Sequence, residues 1–376
     1  MNHPVRGGLD RHARRRKLWL AVAAVLAGSA SLPAAAVRVA IALPLQADSP
    51  MVRSPAKAAV LAITHAGARL VAVGERGVVL LSDDDGRNWR QAQVPVSVTL
   101  TAASFPDPKT GWAVGHGGVV LHSVDGGQTW TKQTDGAALA SVALEAANRV
   151  NERDPQLGAQ LLKAARQLVD DGPDKPLLDV SFSSATSGVV VGAYGLAFST
   201  RDGGKSWDAL AERLGNPEGR HLNAVRLAGA TCVLAGEQGL VRRSTDGLKS
   251  FSRLETPYKG SYFALQILPS GAIALGGIKG KVFVSDADGS TWRKLELPSP
   301  AAVTALSVGP DRSLLIATQN GRVYRRTADA AAVDPDPLVG PPMMTSIAST
   351  QDGARVLGSL AGVRRADGAS NKAVAR

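Results

Sequence analysis

Ser123-Val124-Asp125-Gly126-Gly127-Gln128-Thr129-Trp130 is one of several copies of a short pattern. Ser82-Asp83-Asp84-Asp85-Gly86-Arg87-Asn88-Trp89 precedes it, Thr200-Arg201-Asp202-Gly203-Gly204-Lys205-Ser206-Trp207 follows it, and Ser244-Thr245-Asp246-Gly247-Leu248-Lys249-Ser250-Phe251 keeps the aspartate and the aromatic. Each copy reads as a hairpin turn. The carboxylate and hydroxyl bond to the loop's own backbone, glycine supplies positive φ, and the aromatic restarts a strand while packing beneath the turn.

A register of glycines runs through the same copies: Gly77, Gly118, Gly195, Gly239, Gly280, Gly321 and Gly362, at intervals of 41, 77, 44, 41, 41 and 41 residues. One interval carries an insertion; the rest define a repeat. Trp89, Trp130, Trp207, Phe251 and Trp292 each stand twelve positions after their glycine. Apolar alternation within a repeat predicts four short strands, as at 98–105, 111–114, 119–123 and 129–133. Seven such units predict an all-β chain, a seven-bladed β-propeller over residues 37–376.

Composition agrees. The 376 residues include 40 Gly, 21 Pro and only 16 aromatics, with 44% hydrophobic and 20% charged side chains. That is turn-rich for a helical bundle and too apolar for a disordered chain. Mean hydropathy is near zero, against several membrane spans. The single cysteine, Cys232, lies in the predicted strand 231–235 and reads as a small buried hydrophobe. Residues 1–36 form an expected signal peptide: Arg11, Arg14, Arg15, Arg16 and Lys17 precede the apolar run 18–27, and Ala34-Ala35-Ala36 offers a cleavage site. Export then places the protein in a periplasm or lumen, membrane-associated if the segment stays uncleaved. Because 1–36 holds six Arg or Lys and one Asp, cleavage lowers the formal charge from +11 to +6. The last repeat ends close to Arg376, so 37–45 is expected to supply its fourth strand.

At these residues the chain resembles the Asp-box, or bacterial neuraminidase repeat, propellers. Within them it is most similar to the photosystem II assembly and stability factor family. Gly74-Glu75-Arg76-Gly77, Gly115-His116-Gly117-Gly118, Gly192-Ala193-Tyr194-Gly195 and Gly236-Glu237-Gln238-Gly239 match that family's G-x-x-G turns, as does Gly111-Trp112-Ala113-Val114-Gly115 before the second turn. The resemblance implies an exported, non-enzymatic propeller that binds assembling membrane protein. Repeats five to seven depart from it, with Ala287, Ala328 and Ala369 at the aspartate position.

The insertion loses strand alternation. Over 136–175, Leu139, Val142, Ala146 and Val150, then Leu157, Leu161, Ala165 and Leu168, recur at helical spacing, with Asp154-Pro155 as cap and first-turn proline. A helical hairpin between blades two and three follows, on the face of the G-x-x-G turns. It either folds onto its own propeller to bury the apolar stripe or docks a partner helix.

Candidate functional residues are those the turns display: Arg76, His116, Tyr194, Glu237, Lys279 and Asn320, with His221 and Tyr262 on the connections of the same face. They form a candidate protein-binding surface. Asp84, Asp125, Asp202, Asp246 and the five aromatics are assigned structural roles on the opposite rim. No catalytic residue is assigned: a sialidase needs a tyrosine nucleophile with a glutamate partner and three arginines, and none of Tyr194, Tyr258, Tyr262 and Tyr324 stands in such a motif. Six scattered histidines without H-E-x-x-H or a cysteine pair argue against a metal. No cofactor is expected. Dispersed basic residues and few stacking aromatics argue against nucleic acid. The expected function is a monomeric assembly or stability factor for a membrane protein or envelope complex. A periplasmic accessory scaffold of an envelope transporter and a sialidase-like glycan-binding or hydrolysing propeller remain as alternatives.

Overall fold

The computed structural model describes residues 43–328 and 330–367. The expected signal peptide 1–36 lies outside the described residues. Blade two shows how a repeat folds: strands Leu100–Ser104, Gly111–Gly115, Val120–Ser123 and Thr131–Thr134 pair antiparallel in sequence order. The second strands of blades, such as Gly111–Gly115 and Gly188–Gly192, are buried throughout, because each sheet has a neighbouring sheet on both faces. That is why they read as continuous apolar runs.

Seven sheets succeed one another along the described residues, six of four strands and one of three. Their first strands, Val60–Ala66, Leu100–Ser104, Leu177–Phe182, Leu222–Ala228, Tyr262–Ile267, Val303–Val308 and Met344–Ser349, touch in succession, and the last touches the first. The ring is closed. The core lies between blades: Val71, Val73 and Leu81 of blade one pack on Leu100, Ala113 and Leu121 of blade two. Every blade has a register shift where its first and second strands begin and end, at Val60/Ala62 in blade one and Met344/Ser346 in blade seven.

The seventh sheet holds Met344–Ser349, Arg355–Ser359 and Gly362–Ala366. Among the described residues no fourth strand joins this sheet; residues 37–42 of the expected strand 37–45 lie outside them, and Leu43 to Leu45 enter a turn near blades one and two, where the Pro44 carbonyl accepts from Ser97 N at 2.7 Å and Leu45 packs on their core. Pro44 has no N–H for a ladder. The short 3₁₀ turn Pro55–Lys57 lies against Gly362–Ala366 instead.

The insertion forms two helices, α1 (Gly136–Arg153) and α2 (Pro155–Asp171). Asp135 caps the first by accepting from Ala137 N and Ala138 N; Asp154 caps the second through Leu157 N. The helices meet closely at Gly158, where a Cβ would sit 2.2 Å from Asn151 Cα. Leu139 joins Leu177, Val180 and Phe198 in the core between blades two and three, so the hairpin packs on its own propeller. A four-residue helix, α3 (Ala211–Leu214), follows the outer strand of blade three and has no counterpart in the sequence reading.

Candidate functional site

The G-x-x-G turns join the second and third strands of the blades, and one hydrogen bond recurs in six of them. The N–H after the first glycine, or at Gln319 in blade six, donates to the carbonyl just before the inner strand: Glu75 to Ala59, His116 to Thr99, Ala193 to Pro176, Glu237 to His221, Ile278 to Ser261 and Gln319 to Ala302, at 2.9–3.2 Å. This contact explains the first glycine. A Cβ on Gly115 would lie 2.1 Å from the Thr99 carbonyl oxygen. The closing glycine has positive φ in each, for example 75° at Gly77 and at Gly195.

The residue before the closing glycine is also left-handed in blades one to five, and there it is often large: Arg76 at 54°, Tyr194 at 55°, Gln238 at 51° and Lys279 at 56°. A bulky side chain in this region is strained. Arg76, His116, Tyr194, Lys279 and Asn320 are exposed around one rim. Tyr194 is the most prominent, 61% exposed, with its ring centroid 5.0 Å from that of His221 and the Lys175 Nζ 5.4 Å above it.

Other candidates are committed internally. Glu237 accepts from His221 N at 2.9 Å, which fixes both, and Asn320 Nδ2 donates to Ser299 Oγ at 3.1 Å. Tyr262 is a correction: it is wholly buried, packed edge-on against Tyr258 and Phe283, and burial pushes its phenol up to about 12. It opens the inner strand of blade five, so its side chain enters the blade rather than the connection. The sequence reading missed Leu360 and Met343, both exposed apolar residues, 39% and 51%. Leu360 is beside the seventh turn, and Met343 N donates to Gln319 O in the sixth. The seven-fold glycine register was the signal that could have found Leu360.

On the opposite rim, between third and outer strands, the aspartates hold their turns. Asp202 accepts from Ser206 N at 2.9 Å and Ser206 Oγ at 2.6 Å, and Thr200 Oγ1 donates to it at 2.8 Å. Asp84, Asp125 and Asp246 repeat the arrangement. In blade five, where Ala287 stands at the expected position, Asp286 accepts from Ser290 and Thr291 instead. The aromatics pack beneath: Trp130 Nε1 donates to Gly127 O at 2.9 Å and Trp89 Nε1 to Gly86 O at 3.2 Å, while Trp207, Phe251 and Trp292 line the cores of blades three to five.

These bonds stabilise the charged carboxylate. The Ser206 hydroxyl above all holds Asp202 at about 2, and the Asn88 backbone does the same for Asp84. Folded values below unfolded ones give stability that is complete above about pH 4 and is lost as pH falls toward 2. The melting temperature is therefore expected to fall between pH 5 and pH 2. Asp202→Asn should melt below the unmodified protein at pH 7, with the gap narrowing toward pH 2; thermal unfolding followed by circular dichroism checks both.

Among the described residues no three His, Cys, Asp or Glu side chains converge as a metal site would require. His122 is half-buried, stacked on Trp112 at 4.9 Å, and desolvation lowers its pKa; His116 stands apart in its exposed turn. Cys232 is fully buried, and burial pushes its thiol up to about 12. No described helix is long and apolar enough to cross a membrane.

Comparison with known proteins agrees with this geometry. Over 114 residues the chain is 30% identical to the photosystem II assembly lipoprotein Ycf48 of Synechococcus sp. (strain CC9902). That match takes in 30% of this chain and spans about a third, 34%, of the curated relative. Among solved structures, YCF48 bound to D1 peptide superposes with a TM-score of 0.60 at 17% identity, over 85% of this chain and 96% of that one. YCF48 from Cyanidioschyzon merolae gives 0.59 at 15%, over 85% and 98%. The WD40 β-propeller domain of Doa1 gives 0.58 at 11%, over 87% and 97%, which is likeness of fold alone. The model of the family described as photosynthesis system II assembly factor YCF48 matches residues 81–151 and 160–356, most of the described propeller, and the chain belongs to that family.

Proposed function

We propose that this propeller assists the assembly or stability of a membrane protein complex without catalysing a reaction, and that it presents its turn-bearing rim to the partner. Family membership supports the assembly role. A relative named as bound to D1 peptide suggests the partner class: an assembling photosynthetic membrane protein, engaged outside the bilayer. A relative named as a lipoprotein supports an exported chain on the periplasmic or lumenal side. The enzyme alternative gains no support from the tyrosines. Tyr262 and Tyr324 are buried, and exposed Tyr194 meets His221 and Lys175 rather than a glutamate.

The observation that carries the reading is the strained, exposed Tyr194 on a rigid turn. Aromatic anchors held on rigid scaffolds are enriched at binding hot spots. Glycine takes φ near 55° without strain, so Tyr194→Gly should melt no lower than the unmodified protein. The same change should weaken capture of the partner by about tenfold, the loss of one anchoring contact. The test is photo-crosslinking of the exported chain to membranes, with the captured protein identified by mass spectrometry. Tyr194→Gly and a form lacking 136–175 are run in parallel. Capture of no membrane protein, or undiminished capture by Tyr194→Gly, would count against this surface.

A further inference from the structure

A cavity of about 380 Å³ lies between the helical hairpin and blade three. Ala143, Ala147 and Val150 of α1, Leu161 and Ala165 of α2, and Phe198 of blade three wall it. Alanines at the helix seam leave the space that larger side chains would have filled. Its size falls within the range of small-molecule sites, about 300–1,000 Å³, and its lining divides about evenly between apolar and polar groups.

Charge at the mouth narrows the ligand. Three arginines line the cavity: Arg149, Arg153 and Arg213. Arg153 pairs with Glu212, and Arg213 pairs with Asp208. Arg149 is exposed and, among the described residues, makes no ion pair. One uncompensated cation therefore lines a chamber that also offers apolar side chains. Tyr194 also lines the cavity, at the turn where its backbone has a φ of 55°.

We propose that this cavity binds an amphiphile with an apolar chain and a single anionic head. The chain lies among the alanines, Leu161 and Phe198, and the head meets the Arg149 guanidinium, which is always charged and bonds a carboxylate through two parallel N–H donors. The site borders the protein-binding rim at Tyr194, but its test needs no protein partner, so either reading can fail without the other.

The probe is a dansyl-labelled undecanoic acid, whose fluorescence rises in apolar surroundings, titrated into the propeller. Saturable binding is expected, competed by decanoate and much less by decanol. Arg149→Glu should weaken it at least about tenfold. Ala164→Trp should abolish it with an unchanged melting transition, because Ala164 lines the cavity from an exposed position on α2. Phosphatidylglycerol vesicles separate two sources of this chemistry. Competition by vesicles points to the acyl chain of an anionic lipid; competition by decanoate alone points to a free carboxylate. Absence of saturable binding, equal competition by decanol, or unchanged affinity in both variants would overturn the proposal.

Discussion

Replacing Trp112 with alanine is expected to destabilise the propeller by about 3–5 kcal/mol, the usual cost of removing a fully buried tryptophan. Trp112 has no exposed surface. Its ring lies parallel to Phe182 of blade three with centroids 3.5 Å apart, and His122 stacks at 4.9 Å. Its indole N–H donates to Gln133 Oε1 at 3.0 Å, and Gln133 in turn donates to Gly203 O at 2.9 Å. Alanine would therefore leave a cavity between two blades and release the side chain that ties blade two to a turn of blade three. Trp207→Ala is the contrast. Trp207 is half-buried and its indole nitrogen has no hydrogen-bond partner, so its loss should cost clearly less. Urea unfolding of the two variants measures the difference. A cost below about 1 kcal/mol for Trp112→Ala would mean that the interface relaxes around the hole.

Gly158→Val is expected to undo the hairpin while sparing the ring. The new Cβ would stand 2.2 Å from Asn151 Cα and 2.6 Å from Asn151 N. These are backbone atoms, which cannot swing away as a side chain would. The helices must part, and the cluster of Ala147, Leu162 and Ala165 between them opens. Overpacking of this kind costs up to about 3 kcal/mol. Hydrogen exchange locates the effect: amides of α1 and α2 should lose protection, while inner strands such as Leu222–Ala228 keep theirs. Equal loss everywhere would show that hairpin and propeller unfold as one unit.

The repeat was legible because glycine carries two separate backbone demands at fixed spacing. One is room for a neighbouring carbonyl at Gly115, the other a left-handed φ at Gly118. Side-chain chemistry was legible where it is local, as in the turn around Asp202. It failed where a small shift preserves the function: Asp286 does the work expected of position 287, because a carboxylate one residue earlier still reaches Ser290 and Thr291. Burial of Tyr262 was hidden for a different reason. Whether the first residue of an inner strand faces solvent or the next blade depends on ring geometry, to which a single repeat is blind. The same holds for the cavity, since Arg149 and Tyr194 are 45 positions apart and line one cavity only once the hairpin has folded against blade three.

Ring closure sets the tempo of folding. Thr345 Oγ1 donates to Val60 O at 2.7 Å across a separation of 285 residues, and Arg365 Nη1 donates to Asp85 O at 2.7 Å across 280. Such contacts come last, since distant pairings carry the largest loop-closure cost. Until blade seven emerges and docks, blade one keeps a bare apolar flank with Leu70 and Ile63 lacking Val356 and Ala348. During synthesis the chain thus spends its most aggregation-prone interval as six waiting blades. Truncation before Met344 would make that interval permanent.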